Sequence, residues 1–561
     1  MSRAIRTKLH RLERLLPVYA EQTARKKREL LRELARETMP DAEAVLRLHE
    51  SLVFLRAYPD DAEISALVER LLSRFARRPD LREHRDELAD SGVAGTPIYY
   101  AFYWRTARWL ARHWPDRLSI DWVEFEGVAR LDELLPLLAS HSEAPAMDAA
   151  ALTAREWIDR LRGPGESDAA CLIRLFERSP ADDFWREWSF ESLETPFTLC
   201  PGPTTPSRTL ARFGNAPVVY QTGPLVRTRP DLRQTIALPP VKVRALPVVQ
   251  GRKLVDMARE AMVTSSRDLD VFANADARDV RLVDCGDGLQ LACIGVLPER
   301  RLLLESVYGF LTLKNGVPIG YGVTSTLLNS TEVAYNVFET YRGAEAGYVY
   351  GRVLSMTYHL FGADCFSIDP YQLGHHNPEA LRSGAWWFYY KFGFRARDAD
   401  VRRVAREELR KMKADPDHRS SRSTLKELVV APVFWHRNDE RADVLGRFPL
   451  GNVGLKITDY LSRTFGGRRK DGEKACAEEA ARLLGVRSVR SFSPGERVAW
   501  KRWAPLVLIL PGIERWNARD RRELVKVIRA KGGRRESDFV MRFDRHAKLP
   551  KAIVRLGRGR G

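Results

Sequence analysis

The sequence predicts a mixed α/β (α+β) chain, with a helical front, a central mixed sheet flanked by helices, and a basic, mostly helical end. Three observations predict it. Apolar residues recur at three- and four-residue spacing through the first 165 residues. Two strong hairpin turns sit between β-branched runs in the middle of the chain. All of the cationic excess falls in the last 161 residues.

With 561 residues the chain needs more than one core, since a single core rarely grows past about 250–300 residues. Hydrophobic residues at 44% and charged residues at 30% describe a globular protein, not a disordered one. No apolar run approaches the roughly 20 residues that span a bilayer, and the N-terminus has no apolar signal segment. The six cysteines are scattered without a C-x-x-C pair, which argues against a disulfide framework or zinc site and fits a reducing cytoplasm.

Pattern and composition divide the chain at 1–165, 166–237, 238–400 and 401–561. In the helical front, Leu9, Leu12, Leu15 and Leu16 mark one apolar face, and Ile64, Leu67, Val68, Leu71, Leu72 and Phe75 another. The run Arg25-Lys26-Lys27-Arg28 lies among Glu21, Glu29, Glu33 and Glu37, so it reads as a solvated helix face laced with i,i+4 pairs. The aromatic run from Tyr99 to Trp104 predicts a core helix rather than a base-stacking platform. Residues 166–237 read as a connecting region with breakers at 163–165 and 201–206 and a β-like run at 217–220.

The central segment opens with helical periodicity over 248–262. Strands at 280–284 and 289–296 flank Cys285-Gly286-Asp287-Gly288, and strands at 302–313 and 317–324 flank Lys314-Asn315-Gly316. A third strand, 332–338, leads through a small-residue turn into a helix over 347–361. A strand at 365–369, a loop with Gly374, His375 and His376, and a helix over 378–391 complete the order.

The turn after the third strand carries the chemistry. A strand that runs straight into a helix leaves free backbone N–H groups at the helix start, and these suit a pyrophosphate. Between Arg342 and Gly347, four of the six residues are small, so a phosphate can approach closely. The run Asn336-Val337-Phe338-Glu339-Thr340-Tyr341-Arg342-Gly343-Ala344-Glu345-Ala346-Gly347 resembles the strand and pyrophosphate loop of the GNAT acyltransferase superfamily, whose signature is (Q/R)-x-x-G-x-(G/A). The run from Asn377-Pro378-Glu379-Ala380 to Tyr389-Tyr390-Lys391-Phe392-Gly393-Phe394 resembles that family's second motif.

The resemblance covers about 160 residues. It implies acyl transfer from an acyl-CoA, acetyl-CoA first among them, to an amine or hydroxyl. It further implies that Val337 and Phe338 pair with the pantetheine amide, and that Arg342, Gly343, Ala344, Ala346 and Gly347 cradle the pyrophosphate with Asn377 nearby. It also places Tyr389 as the donor to the leaving thiolate. Glu345 stands where the family has glycine, so its carboxylate must turn away or pair with a cation. Tyr389 also reads as one residue of a buried helix face after Trp386, Trp387 and Phe388. Glu332, Asp369 and His375 are the candidates for the base; each also reads as an ordinary polar residue on a strand or loop. A metal is not expected, because no third ligand lies at a recognisable spacing.

Phosphate-loop, H-E-x-x-H and G-x-S-x-G motifs are absent from the sequence, which lowers P-loop hydrolysis, zinc proteolysis and esterase chemistry. Residues 401–561 hold 40 Lys and Arg against 20 Asp and Glu, a balance of +20, while the first 400 residues balance at −2. Such a field attracts polyanions, so nucleic acid is a candidate partner, and a scaffold that binds nucleic acid without catalysis is the alternative function. Possible strands lie at 425–434 and 506–510, and the tail Leu556–Gly561 reads as a flexible Gly-Arg segment.

Overall fold

The computed structural model describes residues 2–214 and 217–559. It is a mixed α/β structure with helical regions toward both ends and a central mixed sheet. Two compact units result. The first takes Met1–Leu225, Lys253–Asn274 and Lys314–Ile319; the second takes Val226–Arg252, Ala275–Leu313 and Gly320–Gly561. No helix among the described residues is long and apolar enough to cross a membrane, and all six cysteines are free thiols.

In the first unit, helices Ser2–Leu15, Glu21–Leu34, Ala42–Ala57 and Ala62–Arg74 bury the apolar faces read from the sequence, with Leu9, Leu12, Leu31, Val45, Ile64 and Val68 sealed from solvent. Asp41 and Asp61 start two of these helices by accepting the N–H groups of Ala44 and Ile64. Lys27 departs from its predicted solvated face. It is fully buried, bonded to both carboxylate oxygens of Asp60 at 2.9 Å and lying over the Tyr19 ring. The ion pair and the ring replace the water it gives up. The aromatic run is not one helix either: Ile98–Tyr100 is strand β1, and a helix begins only at Trp104. β1 pairs with β3 (Phe197–Leu199), which also pairs with β2 (Leu118–Ile120). The predicted run at 217–220 forms no strand.

The large sheet holds β4 (Lys242–Ala245), β5 (Ala275–Gly286), β6 (Leu289–Val296), β7 (Ser306–Lys314), β8 (Val317–Leu327), β9 (Ser330–Val337), β10 (Cys365–Ile368), β11 (Arg395–Ala396) and β12 (Val433–His436). Its order is β11-β12-β10-β9-β8-β7-β6-β5-β4. Both predicted hairpins form. Asp287 and Gly288 have φ 50° and 71°, and Asn315 and Gly316 have φ 51° and 78°, the left-handed pair that a tight hairpin requires.

β9 is paired differently on its two sides. It is antiparallel to β8 along its whole length, from Gly320↔Val337 to Leu327↔Ser330. Its parallel pairing with β10 stops after three residues, at Ser367↔Glu332. Helix Ala346–Phe361 comes after β9 and ends at Gly362, whose φ of 74° releases the last turn.

Four further expectations are corrected. The helix over 378–391 is two helices, Pro378–Ser383 and Ala385–Lys391, because Gly384 at φ 65° breaks the ladder. The segment 425–434 is a helix end, Arg422–Leu428, followed by β12, which inserts between β10 and β11. Residues 506–509 belong to helix Pro494–Ile509. The tail is helical over Leu549–Arg558, and Arg560 and Gly561 lie outside the described residues.

Within the second unit the basic end is built into the same structure as the sheet. Arg301 donates to the carbonyls of Lys531 and Gly533 at 2.8 and 2.6 Å, and the buried Lys531 ammonium meets Glu536 at 2.5 Å. Tyr308 on β7 donates to Asp279 on β5 and accepts the Ser537 N–H at 2.8 Å. Each of these buried charges has a partner.

Candidate functional site

A cleft of about 450 Å³ opens at the start of helix Ala346–Phe361, a volume within the range of small-molecule sites. Arg342, Gly343, Ala344, Ala346 and Gly347 line one side. Val226, Arg227, Thr228 and Arg229 line another, and Phe388, Lys391 and Phe392 the third. Among the described residues no side chain caps this helix, so its first N–H groups and the positive end of its dipole face four basic residues and small-residue backbone. Arg229 is fixed by a bond to the Lys391 carbonyl at 3.1 Å. Arg342 pairs with Glu379 and also reaches the Val337 carbonyl. Gly343 has open space around the position a Cβ would take, while at Gly347 a Cβ would press on Phe392 at 3.0 Å.

Glu345 resolves the conflict that the sequence posed. Its side chain is 5% exposed and accepts the Val226 N–H at 3.1 Å, and it takes no part in lining the cleft. The carboxylate is turned inward to tie the 226–229 segment to the loop.

Farther along β9 stands Glu332. Burial pushes its carboxyl up to about 7, with the negative charges of Asp369 and Glu305 adding to the shift. Asp369 itself starts a short helical turn by accepting the Tyr371 N–H at 2.8 Å. Glu305 accepts the Ser325 hydroxyl at 3.1 Å. From Glu332 to Val337 is five extended residues, about 17 Å. Over that stretch β10 no longer pairs with β9, and Ala334 to Val337 remain half-buried.

Tyr389 is buried against Tyr350 and Phe394, with ring centres 5.7 and 5.8 Å away. Burial drives its hydroxyl well above the usual tyrosine range, so it keeps its proton at neutral pH. Phe338 packs on Tyr321, and Val337 pairs with Gly320 on β8. Asn377 caps helix Pro378–Ser383 through Ala380 and does not line the cleft. His375 lies in its loop with its ring 4.1 Å from that of His376 and its N–H on the Pro370 carbonyl. Among the described residues no group of three or more His, Cys, Asp or Glu is placed to hold a metal ion.

The sequence reading missed Arg227, Arg229, Lys391 and Glu305. The first two lie in a segment without periodicity, and Glu305 comes close to Glu332 only through sheet order.

Other perturbed groups have structural work. Asp268, pushed up to about 6 by burial, accepts the Tyr103 N–H and the Thr106 hydroxyl and so holds the first turn of helix Trp104–His113. Cys365 lies 3.8 Å from His436, but burial pushes its thiol up to about 12, which leaves no thiolate.

No protein-family model, no curated protein and no solved structure matches this chain.

Proposed function

We propose that the second unit, with segment 238–400 at its centre, works as an acyl-CoA-dependent acyltransferase, taking acetyl-CoA first among donors and an amine first among acceptors. One observation carries the reading: a basic, small-residue cleft at a helix start and a carboxyl poised near neutrality lie at opposite ends of one free strand edge. The resemblance of 336–347 and 377–394 to the GNAT motifs supports it from the sequence side.

On this reading Arg227, Arg229, Arg342 and Lys391, with the N–H groups of the helix start, bind the pyrophosphate. The backbone of Val337 and Phe338 pairs with the pantetheine arm. Glu332 accepts a proton from the acceptor amine as its nitrogen bonds to the thioester carbon and the carbon–sulfur bond breaks. Tyr389 donates a hydrogen bond to the departing sulfur. A phenol so weakly acidic does not surrender its proton to a thiolate, so the thiolate takes its proton from solvent. Asp369 keeps Glu332 a stronger base by its charge, and His375 stands in reserve at the same loop.

The test is thermal: CoA and acetyl-CoA should each raise the melting temperature of the full chain by mass action, and Gly343→Asp should remove both shifts. Gly343 is the better position than Gly347 because its side chain would enter open space. Undiminished shifts in that variant would place CoA elsewhere.

A second reading, binding of nucleic acid, has its own observation. Arg463, Arg468, Arg469 and Lys470 are all exposed around the junction of helices Leu450–Phe465 and Arg469–Leu484. Replacing Arg468, Arg469 and Lys470 together by Ala should weaken RNA binding and flatten its salt dependence, by about one counterion per lost contact.

A further inference from the structure

Tyr350, on helix Ala346–Phe361, is 0% exposed, and its hydroxyl has no hydrogen-bond partner. Buried hydroxyls are almost always paired, and one left without a bond carries a desolvation penalty. The Tyr335 hydroxyl on β9 and the Thr312 hydroxyl on β7 are also buried, and the two interact with each other. The absence of side chains at Gly320 and Gly322 lets β7 and β9 side chains meet across β8, and Phe310 stacks on Tyr335 there. Tyr335 in turn stacks on Tyr350 at 6.0 Å, and Tyr389 meets Tyr350 edge-on at 5.7 Å. Phe388 and Phe392, which line the basic cleft, both touch the Tyr350 ring. The Tyr350 ring therefore lies directly behind Phe388 and Phe392 of the cleft wall, on the element whose first turn faces the cleft.

We propose that the Tyr350 hydroxyl receives the carbonyl oxygen of the acyl thioester, with Tyr335 and Thr312 as the polar floor behind it. This rests on the acyl-CoA reading and adds the residue that distinguishes an acylated donor from free CoA. Tyr350 donates its O–H to the carbonyl oxygen. The same bond strengthens as negative charge gathers on that oxygen during attack. Tyr389, the partner of the sulfur, is left its own task.

The experiment is Tyr350→Phe in the full chain, with melting temperature without ligand and affinities for CoA and acetyl-CoA by calorimetry. The variant is expected to be at least as stable as the parent without ligand, because it loses no bond. Its affinity for CoA should be unchanged, and its acetyl-CoA to CoA affinity ratio should fall about tenfold, the equivalent of one hydrogen bond. An unchanged ratio overturns the proposal while leaving the acyl-CoA reading intact. A lower melting temperature without ligand also overturns it, since the hydroxyl would then be bonded inside the protein. Failure of the parent chain to bind either ligand overturns the acyl-CoA reading and this proposal with it.

Discussion

At Glu332, the proposed role as base and the stability of the fold pull in opposite directions. Its carboxyl is pushed up to about 7 by burial and by Asp369 and Glu305, so the folded state holds the proton more tightly than the unfolded chain does. The favourable contribution is complete below the ordinary carboxyl range and is lost as pH rises through 7. Glu332→Gln is therefore expected to raise stability at pH 8, by about 1–2 kcal/mol after allowance for solvent screening, and to change little at pH 4. The same variant should lower kcat by about 10²–10⁴, the usual range for a general base. For the parent chain the acid limb of the kcat profile should fall near pH 7. Asp369→Asn removes one of the repelling charges, so it should move that limb to lower pH. A limb that stays in place would show that the base is another group.

Among the elements, the break at Gly384 sets the register of the Tyr389 helix. Gly384 has φ 65° and nothing within 4 Å of a Cβ position, so a side chain there meets strain but no clash. Gly384→Ala is expected to cost about 1–2 kcal/mol, the penalty of an L residue in the left-handed region. It would appear as a lower denaturation midpoint with an unchanged slope. A cost near zero would mean that the two helices can merge into the single helix the sequence predicts, carrying Tyr389 with them. β9 shows the complementary case. Its pairing with β8 is complete, and its pairing with β10 ends at Glu332, so the same strand both closes the sheet and offers a free edge.

For the whole molecule, the charge and the fold divide the chain differently. The balance of +20 over residues 401–561 suggests a detachable basic appendage. Yet β12 lies inside the sheet, between β10 and β11, and the Arg301–Lys531–Glu536 network joins the last helices to the strand connections. A chain ending at residue 400 would lose a strand and leave buried charges without partners, at several kcal/mol each. It is expected to lose the cooperative transition of the second unit and every CoA-dependent shift, as followed by circular dichroism during melting. A truncated chain that kept the shift would show that the sheet stands without β12. Polyanion binding is therefore better probed by the surface substitutions at Arg468, Arg469 and Lys470 than by truncation.

The sequence by itself determined the features that depend on neighbouring residues. Asn315-Gly316 and Asp287-Gly288 impose left-handed turns whatever surrounds them, and the small residues between Gly343 and Gly347 mark the turn that precedes the helix starting at Ala346. Apolar period located the helix that begins at Ala346 and, in the front, the helices Ser2–Leu15 and Ala62–Arg74. Tertiary structure decided what depends on distance through space. Whether Glu345 repels a phosphate depended on Val226, more than a hundred residues earlier, which draws the carboxylate inward. That the Glu332 carboxyl is pushed up to about 7 depended first on its burial and then on Asp369 and Glu305 from other elements. Lys27 left its solvated face only because Asp60 and Tyr19 enclose it. Turn and period chemistry acts between residues a few positions apart, so it is written along the chain. Burial and the field of a charge sum over everything within several ångströms, and only the folded chain fixes what that includes.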